Sequence, residues 1–309
     1  MQYRTLGKTG LSVSALSLGG SPLGGVFGAI DEAEGIRAVH MALDLGINYI
    51  DTSPFYGLTR AESVLGKALR GIPRDRFLVA TKIGRYGPEE FDFSAGRTAA
   101  SVEESLRRLG VDVIDVIQCH DMEFGSLDQI VGETLPALRL LREQGKVRFI
   151  GLSGLPLKIF RYVLDRTEAD TIISYCHYGL NDTSLAQLLP YLEEHGAGVI
   201  HAAPLAMGLL TDRGAPPWHP APEDIKAACA KAAAHCRRRN ANIAGLALQF
   251  ALANPRIHTV VTGTADPQEV SANLRCAEES MDEELLREVQ TILAPVRNKT
   301  WQTGRPENN

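Results

Sequence analysis

Four ionisable side chains in this chain are of the types that together perform acid/base chemistry: Asp51, Tyr56, Lys82 and His120. A tyrosine is a poor proton donor or acceptor near neutral pH, because its reference pKa is about 10. A nearby ammonium group stabilises the phenolate and lowers that pKa, and a carboxylate holds the ammonium in place. A histidine beside the tyrosine can donate a hydrogen bond or relay a proton. The residue types therefore predict a general acid/base unit centred on Tyr56.

Each of the four residues lies at or just beyond the end of a predicted strand. Asp51 follows the run NYI, and Tyr56 lies in the loop after it. Lys82 follows FLVAT, and His120 follows IDVIQC. A single lysine or histidine at such a place is more often a surface or structural residue. Four complementary residues at such places make a chance arrangement improbable and favour a catalytic site.

The elements that must position these residues are short β-rich runs that alternate with amphipathic helical runs. Several strand candidates are largely apolar, which is typical of parallel strands buried on both faces. The predicted strands span residues 15–18, 48–52, 77–82, 113–119, 147–152, 171–175, 198–202 and 259–262. The predicted helices span residues 31–45, 60–70, 95–109, 128–144, 157–165, 183–195 and 225–238. This order predicts the α/β class and a parallel (β/α)8 TIM barrel, in which functional residues gather at the carboxyl ends of the strands.

Two further expectations concern the N-terminal segment and the number of domains. The run YRTLGKTGLSVS predicts two short strands around a Lys-Thr-Gly turn, an N-terminal β-hairpin that precedes the barrel. We expect residues 1–309 to form a single domain, because α/β barrels of this length are usually one domain.

Composition limits the classes of partner. The chain is 44% hydrophobic and 22% charged with a net charge of −5, and its longest basic run is three arginines, so we expect no nucleic-acid partner. No run is apolar enough for a membrane helix, and the N-terminus lacks the features of a signal peptide. The five cysteines are scattered without a CxxC pair, which predicts neither a disulfide framework nor a metal site. We expect a cytoplasmic protein, either a monomer or a homodimer.

The order and spacing of the four residues resemble those of the aldo-keto reductase family. The resemblance extends through the runs LGKTGLSVSALSLGGSPLG, GKVRFIGLSGLP and PLAMGLLT. It implies a (β/α)8 barrel with the hairpin closing its bottom, a C-terminal helix and tail, and a nicotinamide cofactor. The runs SPLGGVFG, FDFSAGR, CHDMEFGSLDQIV and SYCHYGLND resemble members that oxidise the anomeric hydroxyl of aldoses to lactones, with L-galactose as the expected sugar.

The resemblance also assigns roles to the four residues. Tyr56 would accept the hydroxyl proton, with its pKa lowered by Lys82, while the carbon–hydrogen bond delivers hydride to the cofactor. Asp51 would orient and charge-balance Lys82. His120 would direct the reacting oxygen toward Tyr56.

For the cofactor, the resemblance implies a dinucleotide lying across the barrel mouth. Ser153 matches a carboxamide contact, and the loop containing Leu205, Gly208 and Leu210 would surround the pyrophosphate with backbone N–H groups. Asn273 matches an adenine contact. Three residues depart from the family pattern: Gly154 replaces the usual Asn, Tyr175 stands where Gln is frequent, and Ala202 stands where a stacking Tyr is frequent. Tyr175 is a candidate to supply the aromatic face.

The sequence around residue 269 bears on the choice between NAD and NADP. NADPH-specific members carry Lys and Arg where this chain has Gly263 and Glu269. A carboxylate repels a 2′-phosphate but accepts a hydrogen bond from a free ribose hydroxyl, which predicts a preference for NAD. Thr264 is expected to cap the next helix or to contact the ribose. The alternative for Glu269 is a solvated first-turn carboxylate with no role in binding.

The substrate pocket is expected to combine polar groups that bind hydroxyls with an aromatic face for the sugar ring. The candidates are Phe55, His120, Asp121, Phe124 and Trp218, with Glu123 and Trp301 as further possibilities. Residues 211–222 and 295–309 are long and irregular, which suggests binding loops or lids. A disordered end is the alternative for the second segment.

Three other functions stay open at this point. The chain could be a dehydrogenase of another aldose, such as L-fucose or a D-threo-aldose. It could be an NADPH-dependent aldehyde reductase. It could also be a cofactor-binding regulatory subunit without catalytic activity, although the complete set of four residues argues against that.

Overall fold

Eight parallel strands form a closed barrel in the computed structural model, which describes residues 1–309. An antiparallel hairpin of β1 (Tyr3–Thr5) and β2 (Ser12–Ser14) precedes it. The barrel strands are β3 (Leu16–Gly19), β4 (Tyr49–Asp51), β5 (Leu78–Ile83), β6 (Ile114–Cys119), β7 (Val147–Gly154), β8 (Thr171–Tyr175), β9 (Gly198–Ala202) and β10 (Thr259–Gly263). Each corresponds to a predicted strand, with ends that differ by at most two residues. The predicted α/β class and (β/α)8 barrel are confirmed.

The barrel closes where its last strand pairs with its first. In register, β10 pairs with β9 on one side and with β3 on the other, so that Gly263 lies opposite Gly19. Each remaining strand pairs with the next strand along the chain. All eight strands therefore present their carboxyl ends at one mouth.

Helices surround the barrel, and each of the seven predicted helices overlaps an observed one. They are α1 (Glu32–Asp44), α2 (Arg60–Leu69), α3 (Ala95–Leu109), α4 (Leu127–Gln129), α5 (Leu135–Glu143), α6 (Lys158–Leu164), α7 (Leu189–Glu194), α8 (Glu223–Arg238), α9 (Ile243–Leu252), α10 (Pro267–Glu278) and α11 (Glu283–Leu293). A π-helical turn, Ile130–Thr134, joins α4 to α5. Helices α9, α10 and α11 lie outside the seven predicted ranges, although α10 is the helix expected after Thr264 and α11 is the C-terminal helix that the resemblance implies. The sequence of α9, IAGLALQFAL, is apolar on nearly every side and lacks a periodic pattern.

Local chemistry explains where the helices begin. The Asp31 carboxylate accepts hydrogen bonds from the first backbone N–H groups of α1, and Ser94 does the same for α3. Helix α3 ends at Gly110, which adopts the left-handed conformation typical of a helix C-terminus. None of the helices combines the length and the hydropathy that crossing a bilayer would require.

The hairpin closes the amino-terminal end of the barrel, as predicted. Leu6, Leu11 and Val13 are buried in one cluster with inward-facing strand residues, among them Tyr49 and Val116. The backbone N–H of Lys8 also donates to Gly196 O, at 2.9 Å. The hairpin therefore covers the end of the barrel opposite the carboxyl-end mouth.

Candidate active site

The centre of the mouth holds a buried ion pair between neighbouring strands. Asp51 is the last residue of β4 and Lys82 lies near the end of β5; their side chains are 4% and 2% exposed. Lys82 Nζ donates to Asp51 Oδ2 at 2.5 Å and to Thr52 O at 2.7 Å. Burial acts to lower the pKa of Lys82, but Asp51 and Tyr56 outweigh it, and the pKa is raised. Lys82 is therefore a fixed ammonium group.

Tyr56 and His120 complete the cluster. The centre of the Tyr56 ring lies 4.9 Å from Lys82 Nζ and 5.7 Å from the centre of the His120 ring, which is nearly perpendicular to it. The structure thus brings together all four residues that the sequence singles out. A phenol, an ammonium, a carboxylate and an imidazole at these distances can exchange a proton with a bound hydroxyl or carbonyl group.

The pKa of Tyr56 differs from the simple expectation. Burial raises the pKa, and Asp51 and Asp121 add to the increase, while Lys82 lowers it. The net effect is an increase, so the expectation of a lowered pKa is wrong for the protein without a ligand. Removal from water penalises the phenolate more than one ammonium, already paired with Asp51, can stabilise it.

His120 is a neutral imidazole. Burial lowers the pKa of His120 to about 3, with Lys82 and Arg85 acting in the same direction against Asp121. Its Nδ1 is hydrogen-bonded to Ser53 Oγ at 3.1 Å, and the Phe55 N–H donates to the same hydroxyl oxygen. Nε2 lies on the opposite side of the ring, 3.7 Å from Asp121 Oδ2. Ser53 therefore fixes the orientation of the imidazole.

Gln118, like Ser53, is a site residue that the sequence analysis misses. Its Nε2 donates to Asp51 Oδ1 at 2.7 Å, so both carboxylate oxygens have a donor. Residues two apart on a strand face the same side, and Gln118 on β6 precedes by two residues His120, which lies just beyond the end of that strand. That alternation is the signal that could have found it.

The expected substrate residues gather around an arginine that the sequence analysis also misses. Arg85 Nη1 donates to Asp121 Oδ2 at 2.6 Å, and its guanidinium lies 3.9 Å from the Phe55 ring centre and 5.3 Å from that of Phe124. Phe124 stacks on Phe91 with ring centres 4.4 Å apart. Phe55, Asp121 and Phe124 therefore belong to one cluster beside His120.

Glu123 is a buried structural group rather than a pocket residue. Its Oε1 accepts hydrogen bonds from the Leu155 N–H and the Tyr175 hydroxyl, at 3.2 and 3.3 Å. Burial, and then Asp121, raise the pKa of Glu123 to about 8. A Cβ atom at Gly154 would lie 2.7 Å from Glu123 Oε2 and 2.3 Å from Ile159 Cδ1. The carboxyl group and Ile159 therefore explain why a larger side chain is missing at position 154.

The two tryptophans lie in different environments. Trp218 is 50% exposed and contacts Phe27, with ring centres 5.7 Å apart, so the loops after β3 and β9 meet at the mouth. Trp301 is buried and packs edge-on against His219. It belongs to the packing of the C-terminal segment and not to an open pocket.

The C-terminal segment is ordered against the loop after β6. Arg305 N–H and Asn308 Nδ2 both donate to Glu123 O, at 2.8 and 2.9 Å, and Asn308 Nδ2 also lies 3.1 Å from Gly125 O. The alternative of a disordered end is wrong.

Several expected cofactor residues line the same mouth. Ser153 lies near the end of β7, and Tyr175 is paired in register with Ala202 across β8 and β9. In the loop after β9, the N–H groups of Gly208 and Leu210 donate to Leu205 O, at 3.1 Å each. Those two N–H groups are therefore hydrogen-bonded within the loop. Three successive residues, 206 to 208, have positive φ, so the backbone turns sharply there.

Glu269 and Thr264 form a pair at the start of α10. Thr264 Oγ1 donates to Glu269 Oε2 at 2.6 Å and accepts from the Asp266 N–H at 3.0 Å. Arg213, which is 91% exposed, lies 4.0 Å from Glu269 Oε1. Asn273 is partly exposed one turn further along the helix. The pair places a carboxylate at the mouth end of β10.

These residues fit an extended dinucleotide. Ser153 places a buried hydroxyl group near the mouth end of β7, a group that can hydrogen-bond an amide. Tyr175 is partly buried and pairs in register with Ala202, whose side chain is small. The pair of Thr264 and Glu269 offers acceptors to hydroxyl groups, and not donors to a phosphate.

Comparison with known proteins agrees with this geometry. A sequence model described as the Aldo/keto reductase family matches residues 15–294. The chain is 52% identical over 317 aligned residues to L-galactose dehydrogenase from Arabidopsis thaliana, covering 100% of this chain and 99% of the relative. It is 30% identical to D-threo-aldose 1-dehydrogenase from a Pseudomonas species, covering 87% and 90%. The solved aldo-keto reductase from Bacillus halodurans in its holo form superposes with a TM-score of 0.80 at 29% identity, covering 98% and 99%.

Proposed function

The chain belongs to the aldo/keto reductase family, and we propose that within it the protein is an NAD-dependent aldose 1-dehydrogenase that oxidises L-galactose to L-galactono-1,4-lactone. The family makes it a nicotinamide-dependent oxidoreductase. The observation that carries the proposal is the buried pair of Lys82 and Asp51 beside Tyr56. Full-length identity to an L-galactose dehydrogenase supports the sugar.

In the proposed mechanism, each side chain handles the anomeric hydroxyl or its proton. Neutral His120 donates a hydrogen bond from Nε2 to the sugar oxygen and holds it near Tyr56. Lys82 stabilises the phenolate form of Tyr56, which accepts the hydroxyl proton and becomes the neutral phenol. When bound, the nicotinamide supplies the acceptor for the hydride that leaves the anomeric carbon.

Cofactor choice is proposed to depend on Glu269. Its carboxylate is held by Thr264, so it is a fixed acceptor for a ribose hydroxyl and repels a 2′-phosphate. Ser153, Tyr175, Leu205, Gly208, Leu210 and Asn273 are proposed to hold the rest of the dinucleotide.

Substrate binding is proposed to use the cluster around Asp121. The carboxylate accepts hydrogen bonds from sugar hydroxyls, while Arg85 holds it in place. Phe55 and Phe124 supply apolar faces, and Trp218 covers the mouth from the facing loop.

The test is a substrate panel followed through reduced-nicotinamide absorbance. Purified protein is mixed with L-galactose, L-fucose or a D-threo-aldose, each with NAD and with NADP. We expect the highest kcat/KM for L-galactose with NAD, and a lactone as product. Oxidation of NADPH in the presence of simple aldehydes, without any sugar-dependent reduction of NAD, would contradict the proposal.

A further inference from the structure

Both oxygens of the Asp51 carboxylate are engaged, each by a different strand. Lys82 on β5 donates to Oδ2, and Gln118 on β6 donates to Oδ1. An ionised carboxylate only accepts hydrogen bonds, so the Gln118 amide must turn its nitrogen toward Asp51. The contact therefore defines the rotation of both side chains.

The carbonyl oxygen of the Gln118 amide, Oε1, is buried and makes no hydrogen bond. A buried carbonyl group without a partner lowers the stability of the fold by about 1–3 kcal/mol. An apolar side chain would therefore fill this space at a lower free-energy cost than the amide. The bond to Asp51 is the only hydrogen bond that the side chain makes.

The neighbouring strand leaves room for this side chain. A Cβ atom at Gly151 would lie 3.0 Å from Gln118 Cγ and 2.5 Å from Thr171 Oγ1. Gly151 pairs in register with Gln118 across β6 and β7. The absence of a side chain on β7 thus allows the long amide to lie inside the barrel beneath the mouth.

We propose that Gln118 is a positioning residue that holds the Asp51 carboxylate in the rotation in which only Oδ2 binds Lys82. This inference deepens the proposed function and rests on it for its catalytic consequence. With Gln118 in place, the ammonium stays between Asp51 and Tyr56. Without it, Oδ1 competes for the same ammonium, the carboxylate turns, and Lys82 moves toward Asp51 and away from the Tyr56 ring.

The consequence concerns the proton affinity of Tyr56. The charged or titratable groups that face it are Asp51 on β4, Lys82 on β5, and His120 and Asp121 after β6. Only Lys82 among them lowers the pKa of Tyr56. Drawing the ammonium away therefore raises that pKa further, by about 1 pH unit for a contact of this kind.

The first experiment needs neither substrate nor cofactor. The ultraviolet absorbance of tyrosinate is titrated for the wild type and for Gln118→Met, each against the same protein carrying Tyr56→Phe, so that the difference isolates Tyr56. Gln118→Met keeps the length of the side chain and removes the donor. We expect its Tyr56 titration to move to higher pH by about 1 unit. An unchanged titration would overturn the proposal.

Steady-state kinetics with L-galactose and NAD give the second readout. In Gln118→Met we expect kcat to fall about tenfold with little change in KM for NAD, because the loss affects proton transfer and not binding. Thr171→Val is the matched control, since it removes a buried hydroxyl inside the same barrel that has no hydrogen-bond partner. We expect it to leave kcat and the Tyr56 titration unchanged.

Gln118→Glu keeps the proposal testable if Gln118→Met folds poorly. A protonated Glu at position 118 can donate to Asp51, whereas an ionised one repels it. We expect activity close to wild type at low pH that falls as pH rises, and a profile identical to that of the wild type would contradict the proposal. If the wild type oxidises no sugar, the proposed function fails, while the tyrosinate titration still decides the role of Gln118.

Discussion

Tyr56 is the residue on which the proposed chemistry depends, because it alone can take the hydroxyl proton. In Tyr56→Phe we expect kcat to fall by about 10³-fold or more, with NAD affinity changed less than about twofold. Tyr49→Phe is the control, because Tyr49 is a buried tyrosine deeper in the barrel whose hydroxyl has no partner. Kinetics and NADH fluorescence titration measure the two quantities. Retained activity in Tyr56→Phe would exclude the proposed role.

Glu269 decides, on this proposal, between NAD and NADP. We expect Glu269→Lys to raise the ratio of kcat/KM for NADP over NAD by about tenfold or more, because it replaces repulsion of the 2′-phosphate by attraction. Gln268→Lys introduces a lysine at the exposed neighbouring position, with a charge change of +1 compared with +2 for Glu269→Lys, and serves as the control. Equal ratios in both variants would show that net charge, and not Glu269, sets the preference.

Residue types alone could predict the four central side chains but not their partners. Asp51, Lys82 and His120 stand at strand ends, where a barrel concentrates function. Ser53 binds His120, and Gln118 binds Asp51, across two different strands or the loops that follow them. Such contacts depend on how the strands pack together, which the sequence pattern does not show. The raised pKa of Tyr56 depends on burial, which composition and spacing do not give.

The C-terminal segment acts as an element that fixes the loop after β6. Asn308 donates from one buried amide to two carbonyl groups of that loop. In Asn308→Ala we expect backbone amides of residues 121–126 to exchange hydrogen about tenfold faster, since the lost bonds are worth about 1–3 kcal/mol. Glu307→Ala, at an exposed neighbour, is the control. Unchanged exchange in Asn308→Ala would show that the loop is held by other contacts.

The outer face of β9 carries a buried imidazole that makes stability depend on pH. Burial lowers the pKa of His201 to about 4, and both ring nitrogens lack a partner. The unfolded chain therefore binds a proton at higher pH than the folded protein, and stability is lost as pH falls from about 6.5 toward 4. Between about pH 7.5 and pH 5 we expect His201 to account for about 2 kcal/mol of that loss.

Urea unfolding at the two pH values measures this contribution. In His201→Phe the loss of stability on acidification should be smaller than in the wild type, because the unfolded chain has one fewer group to protonate. An equal loss in both proteins would mean that His201 is protonated in the folded state at mild acidity.

The positions of most strands and helices along the sequence could be predicted, but the contacts between distant segments could not. Apolar runs such as FLVATKI mark strands buried on both faces, and these agree with the structure to within two residues. Helix α9 lacks a period, so its pattern predicts no helix. The docking of the C-terminal segment joins residues more than 180 positions apart, which local patterns cannot indicate.

At the scale of the whole molecule, one closed barrel brings every proposed role to one mouth. Pairing of β10 with β3 joins the last barrel strand to the first, and the hairpin covers the end of the barrel opposite the mouth. We therefore propose that residues 1–309 form a single domain with one active site.

The most direct test of the proposed reaction follows the hydrogen itself. L-galactose carrying deuterium at C1 is incubated with NAD and the protein, and the reduced cofactor is analysed by mass spectrometry. If the anomeric carbon delivers hydride to nicotinamide, the reduced cofactor carries one deuterium and turnover is slower than with unlabelled sugar. Reduced cofactor without deuterium, or none at all, would contradict the proposed oxidation at the anomeric carbon.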